Sequence, residues 1–348
     1  MVTPEGQEIF FTSYGMPYTN KHNLPKEVVA AVMKDRYTTT GEEPSDYSCS
    51  NLVAPIQLTT IEGWVGKHSV LLRIFDVMKS FWSFLGSVAH QVLEDSWHES
   101  HGGVPEERLY MEILGKTISG KLDLYRDEVV TDYKTCKDYK MIKGDFSDWE
   151  KAANVYAELC RQNGRPVKKL EIVVMITNWA AGNVYKNNYP DAQIQILEMR
   201  LWSEKEAQSY INDRVQQLIT AEAILDSEKT IAAQSDEEKS RDEILERATV
   251  RLFEQFPCQS KEMWEDLKDF AIFKKDDETR ARATKTCDTL EEAETHIGQK
   301  GWHATHEIVK RMTDRTRCLE WCSCQPLCKQ YKAYCGLNID PDAPKPLF

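Results

Sequence analysis

The order of periodicities along the chain predicts an α/β fold, a mixed sheet flanked by helices, followed by a mainly helical C-terminal extension. Three observations carry this expectation. Apolar residues recur at helical spacing from Val77 to Trp97 and again from Trp149 to Gln162. Between and after these stretches the period falls to two, as strands require. From Ser203 to about Phe256 the pattern is helical and rich in charge.

The elements follow in order. Pro25 to Arg36 reads as a short helix, with proline at its start and Val28, Val29, Val32 and Met33 on one side. The polar stretch Thr38 to Asp46 reads as a linker. The helix Val77 to Trp97 carries a stripe of Phe81, Phe84, Leu85, Val88, Val92 and Leu93, and Gly102-Gly103 ends it. Next, Ile118, Leu122 and Leu124 alternate with Lys121, Asp123 and Tyr125, and Val129 to Lys134 reads as a strand returning after the polar turn Arg126 to Glu128. A helix Trp149 to Gln162, an apolar strand Leu170 to Thr177 and a strand Gln193 to Leu201 complete the core. Ser203 and Glu206 can form a capping box, and a domain transition is expected there, giving segments 1–76, 77–202 and 203–348. In the last segment Asp269 to Lys275 and Arg280 to Cys287 read as a small hairpin, followed by a helix Thr289 to Gly298.

With 348 residues, 41% of them hydrophobic and nine of them Trp, the chain can bury a substantial core in one large domain or two. Lys plus Arg total 44 against 56 Asp plus Glu, a net charge of −12. That excludes a protein basic over its whole surface, but a local basic groove can still bind nucleic acid. No uncharged apolar run approaches the roughly 18 residues of a membrane helix. The start of the chain also lacks a basic segment with an apolar stretch behind it, so an intracellular location and no membrane partner are expected.

Hairpin arithmetic draws attention to two carboxylates. If the turn is centred between Asp127 and Glu128, opposed residue numbers sum to 255. Asp123 then faces Asp132 on the side of the hairpin that also carries Lys134. Like charges opposed across strands are destabilising, and a divalent cation is a common reason to keep them. Two carboxylates and a lysine describe a hydrolytic metal site; solvated charges on an exposed strand are the other reading. Upstream, Gly86, His90 and Glu94 recur at intervals of four on one line of their helix. His90 and Glu94 can thus serve a metal or a water, or pack without one.

Gly86-x-x-x-His90-x-x-x-Glu94, Gly120-Lys121-Leu122-Asp123 and Asp132-Tyr133-Lys134, in this order and spacing, resemble the RecB-type branch of the PD-(D/E)xK nucleases, its phage-encoded exonucleases in particular. The resemblance extends to Tyr47–Pro55, to Asp148-Trp149-Glu150 with Asn154-x-Tyr156-Ala157, to the strand 168–179 and to Arg317-Cys318 onward. It implies a PD-(D/E)xK restriction-endonuclease-like core and a DNA exonuclease. In that family pattern His90, Asp123, Asp132 and the Tyr133 carbonyl bind catalytic Mg²⁺ or Mn²⁺, Lys134 is the catalytic lysine, and Glu94 and Tyr156 are secondary site residues. It further implies a role in recombination inside a host cell, with DNA as substrate and a single-strand annealing or other recombination protein as a partner. At one position the chain departs from the family: Ala152 stands where Gln commonly precedes the helix tyrosine. A restriction-type endonuclease, or a DNA-binding scaffold on a degenerate nuclease fold, are the alternatives.

Five of the ten cysteines, Cys318, Cys322, Cys324, Cys328 and Cys335, crowd one short segment. Thiolates suit both Zn²⁺ and iron–sulfur clusters, and the spacing of Cys318, Cys322 and Cys328 does not choose between them. By resemblance these three hold a [4Fe–4S] cluster with one more cysteine from before the histidine helix. There this chain has Ala54-Pro55, and Cys49 is the nearest thiol. Cys324 and Cys335 are local candidates for the fourth ligand, and buried thiols without metal are the plain alternative.

Lys134, Lys137, Lys140 and Lys143, at intervals of three with Tyr139 and Trp149 close by, can floor a DNA backbone, with Lys137 and Lys140 as the binding residues; a solvated lysine-rich loop is the other reading. The pairs His98/His101 and His303/His306 lack the spacing of a zinc-protease helix and read as ordinary surface residues. The acidic run Ser235 to Glu246 reads as a solvated helix face.

Overall fold

A computed structural model describes residues 2–3, 6–13, 15–34, 44–66, 69–97, 104–105, 107–233, 241–276 and 282–336. Most of the expected linker at Thr38 to Asp46, the pair His98/His101, the Gly102-Gly103 stop and part of the acidic run Ser235 to Glu246 lie outside the described residues. The chain forms two compact units, Met1–Ala248 and Thr249–Phe348.

The first unit is a mixed α/β assembly. In chain order it contains β1 (Phe10–Phe11), β2 (Pro17–Thr19), α1 (Lys26–Val32), β3 (Tyr47–Ser48), α2 (Cys49–Val53), α3 (Ile56–Val65) and β4 (Phe75–Asp76). A single 3₁₀ turn, Val77–Ser80, then leads into α4 (Phe81–Trp97). Beyond it lie β5 (Val104–Pro105), β6 (Arg108–Ile113), β7 (Lys116–Lys121), β8 (Leu124–Arg126), β9 (Val129–Cys136), α5 (Asp138–Lys143), α6 (Ser147–Gln162), β10 (Lys169–Ile176), β11 (Ile194–Met199) and α7 (Glu204–Ala233).

The central sheet has the order β11-β10-β9-β8-β5. Its β9 and β10 run parallel, with Ile172 beside Asp132 and Val174 beside Lys134; its other pairs are antiparallel. A parallel pair needs a crossover, which α5 and α6 supply. β10 shows why the sheet forms: Leu170, Ile172, Val174 and Ile176 alternate along one face and are buried. α6 contributes Ala153, Val155, Ala157 and Leu159 to the same unit's core. A separate three-stranded sheet, β3-β7-β6, precedes β8, so the expected alternation over 118–125 is interrupted at Leu122-Asp123, where the chain leaves one sheet for the other.

The expected transition at Ser203 does not coincide with the division between units. Along α7, Ala207, Ile211, Val215, Leu218, Ala221 and Leu225 are buried at helical spacing, and the helix packs on α3 and α6. Tyr210 donates from its hydroxyl to the Leu52 carbonyl (2.9 Å), and Arg214 donates to the carbonyls of Leu52 and Ala54. These contacts make α7 part of the first unit, and the division falls within α8 (Arg241–Gln255).

The second unit is built on an antiparallel sheet of β12 (Leu267–Lys274), β13 (Lys285–Cys287) and β14 (His306–Met312), ordered β13-β12-β14, with α9 (Leu290–Lys300) packed on it. β12 and β13 correspond to the expected hairpin, apart from residues 280 and 281, which are outside the described set. β14 adds a strand that the periodicity did not suggest. A one-turn π-helix, Arg317–Trp321, and a short α10 (Lys329–Tyr334) frame the cysteine segment.

Candidate active site

Like charges rarely stay side by side in a protein interior, which makes Asp123 and Asp132 the natural centre of the site. β8 and β9 pair with Leu124 opposite Thr131 and Arg126 opposite Val129, the register expected from the sequence. Asp127 and Glu128 between them take φ of 52° and 64°, a two-residue turn whose twist matches that of the strands. Extended by one pair, the register sets Asp123 beside Asp132, close enough for the Asp123 charge to act on the Asp132 carboxyl.

The surrounding groups divide the two carboxyls electrostatically. Burial pushes Asp132 up to about 6; the Lys134 ammonium, 2.6 Å away, works against this, while the Asp123 charge reinforces it. Burial also acts to raise Asp123, but His90, Lys134 and the Tyr133 N–H outweigh it and hold that carboxyl below the usual carboxylate range. The Tyr133 N–H donates to Asp123 Oδ2 at 2.7 Å. Hydrogen bonding to Asp123 in turn raises His90 above its ordinary value, against burial. His90 Nδ1 lies 3.5 Å from Asp123 Oδ1 and Nε2 lies 2.9 Å from the Tyr133 carbonyl oxygen. With an acceptor at each nitrogen, both can donate, as an imidazolium does.

The histidine reaches this position because α4 approaches β9 closely. A Cβ on Gly86, one turn before His90, would stand 3.3 Å from Thr135 Oγ1. Glu94, one turn beyond, is half-buried and is met by Gln91 of its own helix. Gly120 makes room at the other side: a Cβ there would fall 2.5 Å from Cys49 Sγ, 2.7 Å from Leu159 Cδ1 and 2.8 Å from Tyr156 Cε1. Tyr156 is therefore packed against the strand leading to Asp123.

The lysines after β9 are ordered by aromatic rings. Lys137 Nζ stands 4.8 Å over the exposed ring of Trp82, a residue that helical patterning alone assigned no role. Lys140 Nζ stands 4.9 Å over Trp149 and 2.8 Å from Asp148 Oδ1. The three-residue spacing of Lys137, Lys140 and Lys143 belongs to the N-cap and body of α5, where a loop was expected.

The remaining candidates lie elsewhere in the fold. His306 is buried and stacks on Trp302 at 4.1 Å, and the His303 carbonyl accepts from Lys275. Cys49 is buried beside Gly120, and Cys335 is exposed. Cys258, which stands alone in the sequence, has its backbone clamped by Gln330 of α10; nothing in its spacing signals this.

Two carboxylates, a carbonyl and an imidazole make a hard donor set that fits Mg²⁺ or Mn²⁺ by its chemistry. As the side chains stand, no group of three or more His, Cys, Asp or Glu among the described residues is gathered to hold an ion.

No family model matches the chain, and no curated protein matches it. Among solved structures it is similar to SSO0001, with 16% identity over 56% of this chain and 84% of that one and a TM-score of 0.40. It is also similar to a phage related exonuclease from Haemophilus somnus, with 12% identity, 47% and 81% coverage and a TM-score of 0.29. LHK-Exo, solved in complex with dAMP, shows 11% identity, 54% and 94% coverage and a TM-score of 0.33. None of these three likenesses reaches a TM-score of 0.5.

Proposed function

We propose that this chain is a metal-dependent deoxyribonuclease of the RecB-type PD-(D/E)xK kind, an exonuclease serving DNA recombination or processing. The observation that supports it is the Asp123–Asp132 pair, with Asp132 buried, Lys134 2.6 Å from Asp132 and His90 beside Asp123. Asp123, Asp132, His90 and the Tyr133 carbonyl are the groups that hold Mg²⁺ or Mn²⁺. Such an ion, when bound, polarises a phosphodiester and lowers the pKa of a water.

The chain's own residues supply the rest. Lys134 keeps its ammonium at the carboxylate pair, where it can orient the attacking water and stabilise charge developing on the phosphate oxygens. Asp123 holds the Tyr133 N–H and His90 Nε2 lies 2.9 Å from the Tyr133 carbonyl oxygen, so both backbone groups of Tyr133 have partners at the site. Lys137 and Lys140, held over Trp82 and Trp149, offer positive charge to a DNA backbone.

Degradation of end-labelled linear DNA, run beside closed circular DNA with Mg²⁺ or Mn²⁺, tests this reading. Loss of label from linear DNA alone is expected, abolished by EDTA and by Asp132→Ala. Lys134→Ala should lower cleavage by at least about 100-fold while DNA binding is retained. Discrete fragments or cleavage of the circle would indicate an endonuclease. Binding without cleavage of any DNA would favour a scaffold, a reading supported by the way His90, Asp123, Asp132 and Lys134 already neutralise one another and by Ala152.

A further inference from the structure

The cysteine segment is held against a second stretch of the same unit, 257–266, and the hydrogen bonds show where. Arg317, one residue before Cys318, donates its N–H to the Met263 carbonyl (3.1 Å) and its guanidinium to the Glu262 carbonyl (3.3 Å). At the other end Gln330, two residues after Cys328, uses both ends of its amide on one residue. It accepts from the Cys258 N–H at 2.9 Å and donates to the Cys258 carbonyl at 2.8 Å. A side chain that satisfies both backbone groups of one residue fixes its place, so Cys258 is seated against the turn carrying Cys328.

Within the segment the other thiols are placed just as firmly. Cys318 lies on the π-helical turn and Cys322 is its C-cap, with its N–H donating to the Arg317 carbonyl at 2.8 Å. Gln325 Nε2 donates to the Cys318 carbonyl (3.0 Å), and the Tyr331 N–H donates to Cys328 Sγ (3.4 Å). Cys318 and Cys328 are buried, and none of the four cysteines is in a disulfide.

We propose that Cys258, Cys318, Cys322 and Cys328 form one four-thiolate site for a thiophilic metal centre, with Cys258 as the fourth ligand. Its electrostatics agree with this geometry. Burial pushes the Cys258 thiol well above its ordinary value, and Glu262, Cys328, Cys322 and Cys318 add to the effect. Burial, then Cys322 and Cys328, push Cys318 up to about 11. Each thiol loses its proton on ligation. Loading draws the sulfurs inward from their present positions, because no three are yet gathered about an ion. Cys335 is exposed, whereas Cys318 and Cys328 are buried and Cys258 and Cys322 half-buried; Cys324 is buried too, with its Sγ 3.9 Å from the Ser323 hydroxyl. The site staples 257–266 to 317–330, and it does not depend on the nuclease reading.

Metal content of the full chain tests the assignment. The protein is purified anaerobically, loaded with Zn²⁺ in one arm and with iron and sulfide in the other, then dialysed against chelator and assayed for metal and visible absorbance. Retained zinc identifies a single-ion site, and retained iron with sulfide absorbance identifies a cluster; either supports the proposal if Cys258→Ser lowers retention by about ten-fold or more while Cys324→Ser and Cys335→Ser match wild type. Wild-type retention in Cys258→Ser, or failure of the wild type to retain either metal, overturns it. If Cys258→Ser does not fold, alkylation mapping of the wild type decides. Cys258 should be protected with metal and labelled after its removal under native conditions, and equal labelling in both states overturns the assignment.

Discussion

Gly120 shows how a single atom's absence organises the site. The two strands that meet at Leu122-Asp123 belong to different sheets, and two residues before that junction the chain must let α2 and α6 come close. Gly120→Ala would insert a methyl group within 3 Å of Cys49, Leu159 and Tyr156, two of which are buried. Overpacking of this kind costs about 1–3 kcal/mol. Urea unfolding should show a lower midpoint for Gly120→Ala with an unchanged slope, and an undiminished midpoint would show that the neighbours yield freely. Asp132 illustrates the opposite economy of space: it occupies a position alongside buried Ile172, where an apolar residue would pack at less electrostatic cost. With Lys134 2.6 Å away, that electrostatic cost is the one the proposed nuclease site would carry.

Among the elements, α5 and the start of α4 carry the clearest consequence. Lys137 and Lys140 are each held over an indole, Trp82 at 4.8 Å and Trp149 at 4.9 Å, and Lys140 also contacts Asp148. A lysine restrained in this way loses less freedom on meeting a phosphate than one on an open loop. Lys137→Ala should weaken DNA binding and reduce the slope of log affinity against log salt by about 1. Lys168→Ala is the control, because Lys168 is exposed and lies against Glu128. Fluorescence anisotropy over a salt series checks this, and equal slopes for wild type and Lys137→Ala would remove Lys137 from the interface.

For the whole molecule, the important element is α7. Its buried row from Ala207 to Leu225 covers α3 and α6, and Glu222 accepts from the Tyr47 hydroxyl at 2.8 Å and from Lys116 Nζ at 3.2 Å. A fragment ending at residue 202 would expose that apolar surface, and each large side chain uncovered would cost about 1.5–3 kcal/mol. Such a fragment should be insoluble or bind a hydrophobic dye, whereas a fragment ending at residue 248 should keep a cooperative unfolding transition. Cooperative unfolding of the shorter fragment would show that α7 is dispensable.

The local patterns were legible because they depend on near neighbours. Alternation marked β9 and β10, helical spacing marked α4 and α6, and turn arithmetic alone set Asp123 opposite Asp132, since a two-residue turn leaves one register. Even the line of Gly86, His90 and Glu94 follows from 3.6 residues per turn. Tertiary structure decided what those lines touch: His90 turns to Asp123 and Tyr133, while Glu94 stays with its own helix. It also decided that α7 belongs to the first unit, because a helix's apolar row is visible in sequence and the surface it covers is not. Cys258 is the extreme case. Sequence determined that cysteines crowd 318–335, but the thiol 60 residues before Cys318 joins them only through the fold, where Gln330 bonds both backbone groups of Cys258. Periodicity reports which face is buried, and only packing selects its distant partner.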